Sequence, residues 1–145
     1  MVQLTKSTKP IKLNEIKRDW HLVDVKGKIL GRAISMTVKY LLGKHKSNYS
    51  PNLDSGDFVI VINAKQVVVS GKKATSKVYT RYSGYPGGLK RIRYKELIDK
   101  NPREVIKKAV SGMLPKNKLR DQRLARLNIY PDEKHPFGEK LKSKS

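Results

Sequence analysis

Hydrophobic positions follow two different periods along the chain, and these periods predict strands alternating with helices. Residues 20–25 (Trp-His-Leu-Val-Asp-Val) are rich in β-forming side chains and predict a short strand. Residues 58–62 form an unbroken apolar run, which is typical of a strand buried on both faces, usually within a parallel sheet. Between these strands, apolar residues recur at helical spacing and Gly43 follows as a stop. These helical positions are Leu30, Ala33, Ile34, Val38, Leu41 and Leu42.

The middle of the chain predicts further extended segments. Residues 67–69 predict a strand that Gly71 ends, and residues 77–82 predict a strand of mixed polarity near a sheet edge. Residues 83–88 (Ser-Gly-Tyr-Pro-Gly-Gly) predict a loop. Residues 89–94 are strongly basic, and we expect them to be extended or strand-like.

A second helix is predicted from Asn101 onward. Asn101 suits the cap, Pro102 suits the first helical position, and Glu104 is placed to reach back to the cap. Pro115 predicts its end, and residues 117–127 predict a third helical stretch. The buried stripe of the second helix is expected to be Val105, Ile106, Ala109, Val110 and Met113. Strands alternating with helices predict an α/β fold with a small, largely parallel or mixed sheet.

The length of 145 residues suits one domain. Residues 1–17 are polar and basic, without an apolar stretch of signal-peptide length, and we expect a basic extension that lies on a partner. Residues 18–137 are expected to form a single α/β domain. Residues 138–145 are expected to form a basic tail that, like the first 17 residues, is disordered without its partner.

The charge balance narrows the classes of partner. Lys and Arg total 33 against 12 Asp and Glu, so the net charge is +21. A compact chain with this charge repels itself unless a polyanion neutralises it, and nucleic acid is the commonest such partner. A membrane surface is the second candidate, although no apolar run approaches the ~20 residues that span a bilayer. The chain has no cysteine, which fits a reducing compartment such as the cytoplasm.

Two turns carry cations at helix ends. Lys44, His45 and Lys46 follow Gly43, where they either complement the helix dipole or clamp a phosphate. Arg32 follows two glycines in a strand-to-helix turn and lies in the first helical turn, where an external phosphate would offset its unfavourable position. The glycine spacing does not fit the dinucleotide-binding fingerprint, so we expect no nucleotide cofactor.

Two basic segments point to RNA. Residues 79–93 interleave tyrosines, glycines and cations, which suits base stacking and phosphate approach, although an ordinary β-hairpin is the alternative. In the third helical stretch, Lys116, Arg120 and Arg123 share a narrow arc with Arg126 on its flank. That arc is either an RNA-facing surface or a solvated basic face. Three leucines of the same stretch, Leu119, Leu124 and Leu127, are expected to pack on the sheet layer.

The sequence offers no catalytic or metal-binding pattern. Asp54 and Asp57 precede a strand, where Asp commonly bonds its own backbone, so we do not expect a catalytic pair. His21, His45 and His135 are far apart, and no pair has metal-ligand spacing. Without a nucleophile motif either, we expect no metal, no cofactor and no catalytic residue.

These residues together resemble the universal large-subunit ribosomal protein thirteen family, in its bacterial or organellar form, over residues 17–136. The chain departs from the family pattern at Arg120-Asp121, where Gly-Arg is usual, and at Asp132, where Gly is usual. The motifs that carry the resemblance are Arg18-Asp19-Trp20, Asp24-x-x-Gly27-x-x-Leu30-Gly31-Arg32, Leu42-Gly43-Lys44-His45-Lys46, Asp54-x-Gly56-Asp57 before Asn63-Ala64, Gly71-Lys72-Lys73, Ser83-Gly84-Tyr85-Pro86-Gly87-Gly88-Leu89-Lys90 and Ala109-Val110-x-Gly112-Met113-Leu114-Pro115-Lys116-Asn117-x-Leu119.

The resemblance implies a three-layer α/β/α fold with a four-stranded sheet and a non-enzymatic role in early assembly of the large subunit. It implies large-subunit ribosomal RNA and neighbouring ribosomal proteins as partners, in the cytoplasm or an organelle matrix. The alternatives are a sequence-independent DNA-compacting protein and an enzyme acting on RNA. The residues expected to contact ribosomal RNA are Arg32, Lys44, His45, Lys46, Lys72, Lys73, Arg81, Tyr85, Lys90, Arg91, Arg93, Lys116, Lys118, Arg120, Arg123 and Arg126.

Overall fold

The structure is a computed structural model that describes residues 9–142 of the chain. Its strands are β1 (Trp20–Asp24), β2 (Phe58–Ile62), β3 (Val78–Tyr82), β4 (Leu89–Arg93) and β5 (Leu127–Ile129). Its helices are α1 (Leu30–Leu42), α2 (Lys73–Ser76), α3 (Tyr94–Lys100), α4 (Pro102–Met113), α5 (Arg120–Ala125) and α6 (Gly138–Lys142), with 3₁₀ turns at Leu13–Glu15 and Ala64–Gln66.

The main sheet is parallel, and β2 is its central strand. β1 pairs with one side of β2 in the register Trp20 to Phe58, and β5 pairs with the other side in the register Val59 to Leu127. Alternate residues of a strand point to opposite faces, and in β2 both faces are closed. Val59 and Ile60 are each fully buried. The prediction of a buried parallel strand at residues 58–62 is therefore confirmed.

The core lies between this sheet and helices α1 and α4, which pack against each other. The helical stripe that the sequence predicts for α1 is buried as a whole, and Gly43 ends the helix in the left-handed conformation with φ of 79°. Burying a side chain such as Ile34 stabilises the fold by about 1.5–3 kcal/mol. In α4, Val105, Ile106 and Val110 complete the core.

β3 and β4 form a separate two-stranded antiparallel ladder. Residues 83–88 connect them, as predicted, and Gly84 and Gly87 take positive φ values of 88° and 70° there. The ladder packs against the core through Tyr79 and Ile92, which are opposite each other in the register. Most other side chains of the ladder are exposed, so this hairpin has little core of its own.

Three expectations about element boundaries are wrong. Residues 67–69 form no strand, because only Val68 makes a parallel bridge, to Ile29, before Gly71 turns the chain. Asn101 makes no side-chain cap; it is also the residue that ends α3, and its backbone, with φ of −149° and ψ of 81°, is not helical. Met113 is 45% exposed rather than buried, since it lies at the last position of α4.

The predicted third helix is shorter than residues 117–127. α5 covers Arg120–Ala125, and β5 follows immediately. The sequence did not reveal β5, because a three-residue strand is too short to show an alternating pattern. Pairing with β2 decides its conformation.

The C-terminal segment packs on β1 instead of extending freely. Trp20 stacks on Phe58 with ring centroids 4.4 Å apart and on Phe137 at 5.0 Å. The ammonium group of Lys140 in α6 lies 4.7 Å from the Trp20 ring centroid. Within the expected tail, residues 138–142 are therefore helical, whereas residues 143–145 lie outside the described residues. Residues 1–8 of the expected N-terminal extension lie outside them as well.

Substitution of Gly56 tests whether the loop before β2 packs closely against the end of α1. A Cβ at this position would overlap the backbone carbonyl of Leu41, which cannot move without disturbing the helix. We expect Gly56→Ala to lower the free energy of unfolding in urea by about 3 kcal/mol or more, at the upper end of overpacking costs. Gly112→Ala is the control, because open space surrounds Gly112 in α4. Alanine there should stabilise the helix by about 0.5–1 kcal/mol. A mild effect at Gly56 would contradict this packing.

Candidate nucleic-acid interface

A buried ionic cluster organises the loop between α1 and β2. Both carboxylate oxygens of Asp54 accept hydrogen bonds from the two terminal nitrogens of Arg126, and Nη2 lies 2.6 Å from Oδ1. Arg126 Nη2 also donates to the carbonyl of Leu41 at 3.2 Å. Arg123 Nε lies 3.6 Å from the same Asp54 oxygen. One carboxylate thus joins the loop, the end of α1 and the segment that leads into β5.

The same loop is held from its other side by Arg18. Its guanidinium donates to the carbonyl oxygens of Gly56, at 2.6 Å, and Asp54, at 2.9 Å. Burial and the nearby positive charge of Arg126 lower the pKa of Arg18. The backbone groups of this loop therefore have cationic partners in place of water.

Asp57 is the second anion of the cluster and is fully buried. Its Oδ2 faces the Nε2 atoms of His21, at 2.7 Å, and His45, at 2.8 Å. Its Oδ1 lies 2.5 Å from the Lys46 ammonium and accepts the backbone N–H of Asp19 at 3.1 Å. The expectation that Asp54 and Asp57 bond their own backbone is wrong, because side chains from other parts of the chain converge on both carboxylates.

Both aspartates are held in the charged form. Burial by itself would raise the pKa of each carboxyl group. For Asp57, hydrogen bonds from His21 and Lys46 outweigh burial and hold the pKa far below its ordinary value. For Asp54, the hydrogen bonds and positive charge of Arg126 lower the pKa in the same way.

This cluster removes two residues from the expected RNA-binding face. Arg123 and Arg126 are only 1% and 7% exposed, because Asp54 holds them inside the fold. The expectation of an exposed basic arc through them is therefore wrong. Arg120, on the same helix, is half-buried.

The expected phosphate clamp after α1 is also largely turned inward. The Lys46 side chain is 15% exposed and donates to the carbonyl oxygens of Lys17 and Ser55 as well as to Asp57. The imidazole of His45 is directed to Asp57. Lys44 is the exposed cation of this turn.

The hairpin β3–β4 carries the densest exposed basic and aromatic surface of the expected set. Residues 77–93 contain five cations and no acidic residue. Tyr85 at the tip is 73% exposed, and Tyr82, which the sequence reasoning did not single out, is 64% exposed. The members of the expected set that lie here are all exposed: Arg81, Tyr85, Lys90, Arg91 and Arg93.

Within this hairpin, Arg81 lies directly opposite Lys90 in the antiparallel register. Like charges in this position destabilise a ladder, and an isolated two-stranded hairpin is marginal even without them. The sequence of residues 77–93 does not reveal this pair on its own, because the residues that face each other depend on the strand register. A polyanion between the two cations would relieve the repulsion.

The remaining exposed cations of the expected set lie in turns or in the first turn of a helix. Arg32 is in the first turn of α1, which has neither a side-chain cap nor an acidic residue in that turn. The others are Lys72, Lys73, Lys116 and Lys118. Within residues 9–142, no helix is both long and apolar enough to cross a membrane.

Comparison with known proteins gives a consistent similarity. The profile of the family described as Ribosomal protein L13 matches residues 18–136. The large ribosomal subunit protein uL13 of Streptomyces coelicolor is 48% identical over 92% of this chain and 89% of its own length. The protein of the same name from Geobacter sp. (strain M21) is 50% identical over 90% of this chain and 92% of its own. The corresponding protein of Clostridioides difficile is 50% identical over 83% and 85%.

Asp54→Asn tests the ionic cluster. Removing the charge leaves two arginines buried without a counter-ion, so we expect a loss of about 3–5 kcal/mol in the free energy of unfolding. Asp132→Asn removes a carboxylate whose pairing with Lys65, at 3.3 Å, is exposed, and we expect a loss below about 1 kcal/mol. Similar losses in the two variants would show that the buried cluster contributes no more than a surface pair.

Acid should remove the stabilisation that the charged Asp54 carboxylate gives to the fold. The pKa of Asp54 lies below its ordinary value of 3.8 in the folded protein. The stabilisation is therefore complete above that pH and is lost as pH falls through the lower, folded pKa. We expect urea unfolding between pH 6 and pH 2 to show this loss in the wild type. The loss should be smaller in Asp54→Asn, and parallel pH profiles for the two proteins would contradict the assignment.

Proposed function

The chain belongs to the ribosomal protein L13 family, and from that membership we propose that it is a structural component of the large ribosomal subunit that binds ribosomal RNA. It acts in translation as part of the ribosome and is not an enzyme. As a component of a bacterial-type ribosome it works in the cytoplasm. The DNA-compacting alternative has no support among the relatives, which are named as large-subunit proteins.

We infer that the hairpin β3–β4 is the principal RNA contact. The observation that carries this inference is the opposition of Arg81 and Lys90 on a hairpin with little core of its own. The like charges destabilise the free hairpin, and RNA phosphates placed between them would stabilise the bound one. The exposed rings of Tyr82 and Tyr85 supply stacking surfaces for unpaired bases at the same tip.

A second group of contacts is proposed at the exposed turns. Arg32 and Lys44 lie at opposite ends of α1, and Arg120 lies near the start of α5. Phosphate contacts of this kind position a protein on RNA without reading its sequence. Arg123, Arg126, Lys46 and His45 are left out of the proposed surface, because their side-chain nitrogens face the buried carboxylates of Asp54 and Asp57. The second group of proposed RNA contacts also includes Lys72, Lys73, Lys116 and Lys118.

The finer features of the fold and of the assembly remain proposals. A three-layer arrangement would follow from helices covering both faces of the parallel sheet, which has three strands within the described residues. We propose residues 18–137 as one domain between a basic extension and a basic C-terminal segment, of which residues 138–142 form α6 against β1. A role in early subunit assembly and contacts with neighbouring proteins fit a chain whose charge requires RNA for neutralisation.

The salt dependence of RNA binding tests the hairpin contact. Arg81→Gln with Lys90→Gln should reduce the slope of log K against log salt for large-subunit ribosomal RNA by about two, because each lost phosphate contact removes about one unit. The same substitutions should leave the melting temperature of the free protein unchanged or higher, since they remove a like-charge pair.

The matched control is Lys65→Gln with Lys134→Gln, which removes two charges outside the proposed surface. We expect this control to retain most of the wild-type slope. The double variant Arg81→Gln with Lys90→Gln should also be incorporated more slowly than the wild type into large subunits that resist a high-salt wash. Equal slopes for the two double variants would place the principal contact elsewhere on the molecule.

A further inference from the structure

The cluster around Asp57 brings together side chains that the sequence keeps far apart. His21 lies on β1, His45 lies in the turn after α1, and Asp57 lies directly before β2. One ligand atom from each of these three residues lies within 4.8 Å of the others. We propose that His21, His45 and Asp57 form a binding site for one zinc ion, with two imidazole nitrogens and one carboxylate oxygen as ligands.

The donor atoms are arranged as such a site needs. Both Nε2 atoms face the same oxygen of Asp57, Oδ2, at 2.7 and 2.8 Å. Tetrahedral zinc, with bonds of about 2.0–2.2 Å, separates neighbouring ligand atoms by about 3.3 Å. Outward shifts of roughly half an ångström would therefore admit the ion.

The surroundings hold the ligands in place. The other oxygen of Asp57 is fixed by the Lys46 ammonium and the Asp19 N–H, and hydrogen bonds of this kind orient a ligating carboxylate. The His21 ring stacks on Tyr40 with centroids 4.0 Å apart and planes at 7°. The His45 ring meets the edge of Tyr40 at 5.2 Å. The imidazole positions are thus set before any ion arrives.

Access and ligand chemistry favour zinc. The imidazoles of His21 and His45 are 17% and 22% exposed, so an ion can enter from solvent and water can complete a tetrahedral set. Two imidazoles suit zinc, whereas magnesium and calcium prefer sites made of oxygen.

The charge of the chain sets the conditions for binding. Lys46 already offsets the charge of Asp57, and the net charge of +21 repels any dication. Added salt should therefore strengthen zinc binding, because it screens the distant cations beyond a Debye length of about 10 Å at 0.1 M. This salt response has the opposite sign to that of RNA binding.

Zinc titration of the purified, chelator-stripped full-length protein, free of RNA, tests the site. We expect one zinc per chain by calorimetry in competition with a chelator of known affinity. His21→Gln and His45→Gln should each weaken binding by at least about tenfold, since even outer partners of a metal ligand are worth that much. His135→Gln is the matched control, because His135 lies elsewhere, next to Phe137 and Tyr130, and it should bind zinc as the wild type does.

Melting curves with and without zinc separate loss of the site from loss of the fold. Zinc should raise the melting temperature of the wild type and of His135→Gln, and it should have little effect on the other two variants. The absence of saturable zinc binding by the folded wild type would overturn the proposal, whatever the variants do. Equal weakening in all three variants would also overturn it, because it would indicate adventitious binding to surface histidines. Neither outcome bears on the ribosomal role, since RNA is absent from the experiment.

Discussion

The pairing of Asp54 with Arg126 is the interaction on which the arrangement of the chain depends. Both oxygens of the carboxylate accept hydrogen bonds from one guanidinium, and that guanidinium also donates to the carbonyl of Leu41 near the end of α1. A buried pair of this kind contributes less through its own attraction than through the cost of breaking it. Its effect is to fix where the loop before β2 and the segment before β5 meet.

This constraint divides the positive charge of the molecule into two populations. Arg123, Arg126 and Lys46 are directed to Asp54 and Asp57 and serve the fold. The cations of the hairpin and of the exposed turns have few acidic neighbours, since the chain has only 12 acidic residues for 33 basic ones. The first population is neutralised by the protein itself, and the second requires an external polyanion. The RNA surface that we propose therefore carries charge that is separate from the charge that holds the core.

The sequence predicted those parts of the fold that depend on local periodicity. The apolar stripe of α1 and the unbroken run of β2 have enough residues to show their period, and the structure confirms both. The three residues of β5 do not, and their conformation is decided by pairing with a strand 68 positions earlier, as in Val59 to Leu127. The inward direction of Arg123 and Arg126 could not be predicted either. Charge on a helix face normally indicates solvent, and only the fold brings Asp54 beneath them.

The hairpin combines little packing of its own with an unfavourable charge pair. A two-stranded ladder with a small apolar contact at Tyr79 and Ile92 gains little from folding alone, and the Arg81–Lys90 opposition subtracts from that gain. Replacing one of these cations by an acid would stabilise the free hairpin, but it would place a carboxylate where we propose that phosphate binds. In the proposed complex, phosphates between the two side chains would offset their repulsion. The buried cluster thus stabilises the core, whereas the proposed RNA contact depends on cations that destabilise the free hairpin.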